Sequence, residues 1–497
     1  MSFTGASDVT LLVIVATTFL IASRTRPVPD RTVLVAFAAI AVATYYPNEG
    51  GILYYTIARF DVRDLLLFSV CAMLLWDTAV GRRRSASVWV VPAAAFYVTV
   101  LISVVASWIA GDIAVVRASR DFRPLLFMSF TVLVPAIVTS RERLTALVRC
   151  LTIYSVIILA LTPLQIMLAT KGAILLPGFQ PTPDAGSFFL FGWSYAGHSL
   201  ANAFVYVALY RLMSGHPFSG GRLFTAGVVL AGTATVAMGL KRMGWISLGA
   251  AILMSLLLLP LRVKVRFAGA LLGVTAGIAL VVSVAVAATP AVSARAVAWA
   301  QFLSSMLDPA EYRNTAETGE RTSIGRRLME NQLAWDVFTR NPILGAGLGY
   351  KYWNDVELFT PEGGRVSLRK IHISGGSYIH NAWLWLLSKI GLLGTLTFVI
   401  FILPPFLRGL LRLDRIPEPN DRAVVFGFSL YAVALLTEAV GNPIFFNVTS
   451  AAGLGVMAGV VLAAFKISKD RASDATSIDH HSVLQRRAWH SLPLRAA

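Results

Sequence analysis

The sequence predicts an all-α polytopic membrane protein with about 12 or 13 transmembrane helices and one large, partly helical periplasmic loop near the C-terminal third. Hydrophobic residues make up 56% of the 497-residue chain and charged residues only 14%, so most of its surface must face lipid. The mean hydropathy of +0.68 agrees with this assignment. Apolar runs of near-spanning length also recur along most of the chain.

The apolar runs define the predicted helices in order. Several are shorter than the roughly 20 residues of a straight spanning helix, so flanking polar residues must belong to the spans. The runs lie at residues 9–23, 31–46, 65–80, 88–110, 124–139, 144–168, 197–213, 223–240, 244–260, 267–288, 380–403, 423–440 and 450–466.

These runs divide the chain into four parts. Residues 1–288 are predicted to hold transmembrane helices 1–10, and residues 289–379 the large loop with amphipathic helices. Residues 380–466 are predicted to hold helices 11–13. A basic tail, predicted to be disordered and cytoplasmic, follows at residues 467–497.

The basic residues predict the orientation. One set of alternating short loops carries eighteen arginines and lysines and the other set carries eight. Because cytoplasmic loops hold the excess of basic residues, the first set is predicted to be cytoplasmic, and the amino terminus and residues 289–379 to face the opposite side. Met1–Thr10 has no basic residue, so the first run is predicted to be a retained helix rather than a signal peptide.

The net charge of +17 follows mainly from this cytoplasmic excess, and no basic domain stands apart from the helices. Nucleic-acid binding is therefore not predicted. The two cysteines, Cys71 and Cys150, lie in different predicted helices and have no metal-type or redox spacing. The sequence thus predicts no disulfide, no metal site and no cofactor.

The large loop has an internal organisation. It carries ten basic and nine acidic residues, which is close to neutrality and unlike a charged disordered spacer. Apolar residues between Val292 and Met306 recur at helical spacing, which predicts an amphipathic helix. A second helix is predicted over residues 323–340, ending at Asn341-Pro342.

Three alternating glycines follow this second helix. The spacing of Gly345, Gly347 and Gly349 is not a nucleotide fingerprint, because no strand precedes it and no helix opens after it. Such glycines are instead expected to let the backbone approach a ligand or a helix end.

His380 marks the point where this polar loop enters an apolar helix. Leu384, Leu387, Gly391 and Gly394 follow it on one predicted helix face, and the glycines are expected to let a neighbouring helix approach closely. His380 is therefore predicted to lie at the membrane interface, with its imidazole facing the loop or water.

Some basic residues lie on the predicted outer side, although most basic residues lie in the predicted cytoplasmic loops. Lys241 and Arg242 interrupt two apolar runs almost without a loop, which favours an anionic ligand over simple snorkelling of the side chains to the interface. Arg120 and Arg123 belong to a second outer cluster, for which Asp121 is an expected internal partner. Structural and functional interpretations of this second cluster stay equally open.

These motifs together resemble the bacterial O-antigen ligase and O-antigen polymerase superfamily. The resemblance covers about 70 residues, with weaker support from Gly197–Ala201. It is carried by Arg327, Trp335, the segment Asn341–Tyr350, His380-Asn381, Gly391 and Gly394, and by Lys241–Trp245.

The resemblance implies a metal-independent glycosyltransferase at the outer face of the bacterial inner membrane. Its donor would be a glycan on undecaprenyl diphosphate, its acceptor a glycan or lipid A core, and its partners membrane lipid and other polysaccharide assembly proteins. Arg242 and Arg327 would hold the diphosphate through forked hydrogen bonds, and His380 would take the proton of the attacking sugar hydroxyl, giving inversion. The implied substrate-binding residues are Lys241, Arg120, Arg123 and Asn381.

Other interpretations of the same residues stay open. The protein is alternatively a carrier or flippase for lipid-linked oligosaccharides, a protein O-oligosaccharyltransferase, or a scaffold of an export complex. Arg327 or its neighbour Arg326 alternatively forms only a surface pair with Glu330, although a functional role is favoured for Arg327. Lys389 is expected to pair with Glu438 inside the membrane.

Overall fold

The computed structural model describes residues 6–45, 61–80, 89–109, 111, 115–169, 199–238, 242–261, 263–266, 268–269, 272–273, 276, 323–352, 357–359, 365–367 and 379–490. Nearly all of them are helical, which confirms the all-α prediction. The helices are α1 (Ala6–Ser23), α2 (Arg31–Thr44), α3 (Val62–Ala79), α4 (Val90–Ile109), α5 (Val115–Phe127), α6 (Phe130–Ile137), α7 (Arg141–Ala169), α8 (Ser199–Ser214), α9 (Gly221–Met238), α10 (Arg242–Leu258), α11 (Ser323–Arg340), α12 (Ala382–Leu411), α13 (Pro419–Glu438) and α14 (Val448–His490).

Two short strands add the only sheet in the described ranges. β1 (Glu357–Phe359) and β2 (Arg365–Ser367) pair antiparallel, with Leu358 opposite Val366. They follow α11 in the chain and precede α12.

The helices confirm a polytopic membrane protein. Within the described residues, four helical segments are long and apolar enough to cross a membrane, namely Val90–Ile109, Arg141–Thr162, Ala382–Leu411 and Val448–Arg471. Four shorter apolar helices, at Val9–Ser23, Arg31–Thr44, Leu200–Ser214 and Ile246–Leu258, accompany them. The apolar run at 267–288 and the amphipathic helix predicted from Val292 to Met306 lie largely or wholly outside the described residues.

The structure differs from the sequence prediction at the run 124–139 and in the C-terminal tail. The run at 124–139 was expected to form one helix, but the chain forms α5 and α6 with a turn at Met128-Ser129. Pro124 and Pro135, which lack a backbone N–H, lie inside these two helices. In the C-terminal tail, expected to be disordered, α14 instead continues as helix to His490.

Glycines allow neighbouring helices of the bundle to approach each other closely. A Cβ added to Gly459 of α14 would lie 2.5 Å from the Phe130 carbonyl oxygen of α6, and one added to Gly427 of α13 would lie 2.5 Å from the Val207 backbone nitrogen of α8. Without a hydrophobic force between helices in lipid, such close backbone approach supplies much of the packing energy. The aromatic pairs Phe204–Phe428 and Tyr206–Tyr431 flank the α8–α13 contact.

The helix α12 is interrupted at Gly391. Residues 342–347, which follow α11 in the chain, pack into this break. Gly391 has φ +66°, a conformation that favours glycine. Four backbone hydrogen bonds of 2.8–3.2 Å join the two sides of the break to residues 342–347. They run from Ala346 N–H to the Ser388 carbonyl, from Gly347 N–H to the Lys389 carbonyl, from Leu392 N–H to the Pro342 carbonyl and from Leu393 N–H to the Ile343 carbonyl.

We call residues 341–352 the inserted loop. Its glycines do bring the backbone against a helix end, as the sequence predicts, because a Cβ on Gly345 would lie 2.4 Å from the Lys389 carbonyl carbon. The expectation that Gly391 admits a neighbouring helix is wrong, since a Cβ there would lie 2.2 Å from the Ile343 carbonyl oxygen of the loop. Backbone polar groups freed by a broken membrane helix need such partners.

The helix α4 closes the other side of the inserted loop. The Ser103 hydroxyl donates to the Leu344 carbonyl at 2.7 Å and lies 3.1 Å from the Lys389 carbonyl oxygen. A Cβ on Gly347 would lie 2.4 Å from the Ser107 Cβ. The loop is thus packed between α4 and α12 as part of the bundle.

Candidate functional site

The centre of the candidate site is a hydrogen-bonded pair of His380 and Glu330. His380 Nδ1 lies 2.7 Å from Glu330 Oε2, and the His380 backbone N–H donates to the same oxygen at 2.9 Å. The Glu330 side chain is 1% exposed, whereas the His380 side chain is 26% exposed. A buried carboxylate therefore holds a histidine that is itself open to a ligand.

This geometry determines which ring nitrogen of His380 can act as a base. A carboxylate only accepts hydrogen bonds, so contact with Glu330 favours the proton on Nδ1 and leaves Nε2 of a neutral imidazole as an acceptor. The two bonds to one oxygen fix both the backbone and the ring of His380. A base oriented by a third group is the arrangement used in general-base catalysis.

The first turn of α12 is anchored to the end of α13. Asn381 is the N-cap, and its Oδ1 accepts hydrogen bonds from the backbone N–H groups of Trp383 and Leu384, both at 3.1 Å. The Ala382 N–H donates to the Ala439 carbonyl at 2.8 Å, and the Trp383 indole donates to the Leu436 carbonyl at 3.0 Å. These bonds fix the backbone directly after His380.

Glu330 is the residue of the candidate site that sequence reasoning missed. The expected surface pair with Arg326 or Arg327 placed it on the outside of α11, but it lies on the buried face of that helix with Leu333, Ala334 and Val337. The sequence did contain a signal for this burial. Glu330, Leu333, Ala334 and Val337 are spaced i, i+3, i+4 and i+7, which assigns Glu330 to the apolar face of the helix. A buried acid in that position requires a partner.

The arginines proposed for the diphosphate lie on two helices. Arg327 is half-buried on α11, three residues before Glu330 and therefore on the same side of that helix. Arg242 begins α10, and its side chain lies outside the described residues. Lys241 is also outside the described residues.

The α5 arginines have different environments. Arg120 is exposed. Arg123 is 26% exposed and pairs with two buried carboxylates, as its guanidinium contacts Asp61 and also Asp64 at 2.8 Å. Arg63 donates to Asp61 as well, at 2.9 Å from its Nε. This cluster ties the start of α3 to α5, which gives Arg123 a structural role.

Lys389 and Asp121 form a buried ion pair beside the inserted loop. Both side chains are 0% exposed, and Lys389 Nζ lies 3.0 Å from Asp121 Oδ2. The expected pairing of Lys389 with Glu438 is therefore wrong. In this structure Glu438 accepts a hydrogen bond from Asn442 at 2.6 Å.

The same two residues hold the end of the inserted loop. Lys389 Nζ donates to the Tyr350 carbonyl at 2.5 Å and lies 4.9 Å from the centre of the Tyr352 ring. Asp121 Oδ2 accepts the Gly349 N–H at 2.8 Å. The expectation that Asp121 serves as internal partner of the α5 arginines is replaced by this contact with α12 and the loop.

Comparison with known proteins places the site within a family region. Residues 226–399 match the family described as O-antigen ligase. A comparison with curated proteins finds no match. The family match confirms the resemblance to the O-antigen ligase and polymerase superfamily, and it covers Arg242, Arg327, Glu330, the inserted loop and His380. It supports glycan transfer of the ligase or polymerase type in a membrane.

Proposed function

We propose that this protein is a metal-independent, inverting glycosyltransferase of the inner membrane that moves a glycan from undecaprenyl diphosphate to a sugar hydroxyl. The observation that carries the proposal is the 2.7 Å contact of His380 Nδ1 with buried Glu330, within the O-antigen ligase region. The product would be a polymerised or ligated surface polysaccharide.

His380 serves as the general base in this proposal. The acceptor hydroxyl oxygen attacks the anomeric carbon and forms the new glycosidic bond, while the bond from that carbon to the diphosphate oxygen breaks and the diphosphate leaves with the electron pair. The hydroxyl proton passes to His380 Nε2. The carboxylate of Glu330 then stabilises the imidazolium through Nδ1–H.

Arginine side chains neutralise the leaving group. Arg327 and Arg242 would bind the diphosphate oxygens with charge-assisted bidentate hydrogen bonds, which stabilise the departing charge without a metal ion. Lys241 and Arg120 would add positive charge around the donor. Asn381 already caps α12 and Arg123 already pairs with buried carboxylates. Each would therefore bind substrate while keeping these contacts.

The site faces the periplasm in this proposal. The excess of basic residues in one set of loops supports an orientation in which the loop containing Arg327 lies on the opposite side from the cytoplasm. Polyprenyl-linked glycan would reach His380 from the outer leaflet.

One structural feature favours a second candidate function, transport of the lipid-linked glycan. Carriers use interrupted membrane helices at their substrate sites, and α12 is interrupted at Gly391. The two functions differ in outcome, because a carrier moves its substrate without forming a glycosidic bond.

The test is a transfer assay with the purified full-length chain in detergent. Incubation with an undecaprenyl-diphosphate-linked glycan and a glycan or lipid A core acceptor is expected to yield an extended product, equally with and without EDTA. Absence of any new bond while vesicle-reconstituted protein translocates the donor would establish the carrier instead. Activity that EDTA removes and magnesium restores would contradict the metal-free mechanism.

Arg327→Lys is expected to lower transfer roughly 10- to 100-fold, because lysine keeps the charge but loses the planar fork that binds a phosphate through two bonds. The measurement is the initial rate at saturating and at low donor. Arg340→Lys is the matched control, since Arg340 is exposed in the last turn of the same helix and should leave the rate unchanged. Equal rates for the two variants would remove Arg327 from the donor site.

A further inference from the structure

A cavity lies at the opposite end of α12 from His380. It has a volume of about 380 Å³ and is lined by Arg408, Arg415, Phe465, Ser468 and Lys469. Arg408 lies in the last turn of α12, roughly 40 Å of helix away from His380. The cavity is therefore separate from the proposed transferase site.

Among the residues that the structure describes, the lining holds three cations and no carboxylate. Within the described part of the chain, no ion pair joins Arg408 or Arg415 to an acid. The nearby Glu418 is held by Arg141 at 2.6 Å and lies 3.9 Å from Arg471. Two guanidinium groups, neither of which has an ion-pair partner in the described part of the chain, thus share one concavity with the Lys469 ammonium group.

The aromatic floor of the cavity orients one of these cations. The Arg408 guanidinium carbon lies 5.6 Å from the centre of the Phe465 ring, and Phe465 is only 8% exposed. A cation over an aromatic face is attracted to the ring and loses little freedom when it binds an anion. The Ser468 hydroxyl adds a neutral hydrogen-bond donor beside it.

The level of the cavity in the membrane identifies the anion. The apolar spans Ala382–Leu411 and Val448–Arg471 end at the cavity, so its residues lie where lipid headgroups meet water. Leu407 and Leu411, beside Arg408, expose 42% and 66% of their surface. A phosphate with acyl chains attached satisfies the cations and this apolar surface together, whereas a free phosphate satisfies only the cations.

We propose that this cavity is a binding site for the headgroup phosphate of an anionic phospholipid. Arg408 and Arg415 bind the phosphate oxygens as forks, Lys469 contributes a point charge, and the acyl chains lie along Leu407 and Leu411. The site would hold the ends of α12 and α14 together on the face opposite His380.

The test measures lipid binding by the full-length chain. The protein is placed in phosphatidylcholine nanodiscs containing increasing phosphatidylglycerol, and retained lipid is counted by native mass spectrometry. Arg408→Gln with Arg415→Gln is expected to lower the apparent affinity for phosphatidylglycerol at least roughly 10-fold. The matched control, Arg412→Gln with Lys466→Gln, removes the same charge at the same end but outside the cavity lining, and should change it less than roughly 3-fold.

Three outcomes overturn the proposal. Equal losses in both double variants would reduce the effect to general surface charge, and no loss in either would remove the site. Inorganic phosphate that displaces the lipid at equal concentration would identify a soluble anion as the ligand. If the glutamine pair fails to fold by circular dichroism, Arg408→Lys with Arg415→Lys keeps the charge and should still lose affinity through the missing forks.

Discussion

His380→Ala is expected to abolish new glycosidic bonds, with transfer falling about 10²- to 10⁴-fold, or about 3 to 5 kcal/mol in barrier. The variant removes the proton acceptor and leaves the helix cap at Asn381 and the inserted loop in place. Folding and donor binding should therefore stay close to those of the unchanged protein, because a base acts on the barrier more than on ground-state contacts. Single-turnover transfer and donor affinity, measured on the same purified sample, separate the two effects.

Glu330→Gln provides the control that distinguishes an oriented base from a merely nearby histidine. The amide keeps the volume of the carboxylate but does not stabilise an imidazolium, and its NH₂ group can bond Nδ1 and reverse the tautomer. Transfer should fall roughly 10- to 10³-fold with donor affinity retained. Asp336→Asn removes an exposed acid from the same helix and should have no effect. A His380→Ala protein within a few-fold of wild type would show that another group takes the proton.

The membrane helices and the general location of the site could be predicted from the sequence. Apolar runs carry their own signal, because each helix satisfies its backbone internally and shows its lipid-facing surface in its composition. The helix α11 also begins and ends where the sequence predicts, because its local pattern and the Asn341-Pro342 pair mark its bounds. The position of His380 between a polar loop and an apolar helix indicates the site.

The pairings that define the site could not be predicted in this way. His380 and Glu330 are 50 residues apart in sequence, and Lys389 and Asp121 are 268 residues apart. Glu438 was the expected partner of Lys389 because both lie in late apolar helices, but the break at Gly391 directs Lys389 towards the inserted loop and α5. The periodicity of the sequence does not predict that the inserted loop enters the break in α12.

The inserted loop connects the stability of the fold to the geometry of the candidate site. It follows directly from the helix that carries Arg327 and Glu330, and it enters the helix that begins just after His380. Any movement of the loop out of the break would therefore shift both partners of the His380–Glu330 contact. The ion pair of Lys389 and Asp121 holds the end of the loop, because its two members bind the Tyr350 carbonyl and the Gly349 N–H.

Lys389→Met is expected to destabilise the protein by about 3 to 5 kcal/mol, since it leaves Asp121 buried as an uncompensated charge. In the described residues Asp121 Oδ1 has no hydrogen-bond partner, and without Lys389 the Gly349 N–H remains as the partner of Oδ2. Thermal unfolding in detergent measures the loss. A cysteine at Ala346, which is 5% exposed, should become reactive to a thiol reagent in the Lys389→Met protein only, once Cys71 and Cys150 are replaced.

Two companion variants determine whether the ion pair or the lost side-chain volume is responsible. Adding Asp121→Asn to Lys389→Met removes the uncompensated charge but keeps an acceptor for the Gly349 N–H, so much of the stability should return. Arg141→Gln breaks the half-exposed Arg141–Glu418 pair and should cost less than about 1 kcal/mol. If Lys389→Met unfolds at the temperature of the unchanged protein, the backbone hydrogen bonds to the break in α12 and the Ser103 contact are enough to hold the loop, and the buried charges have another role.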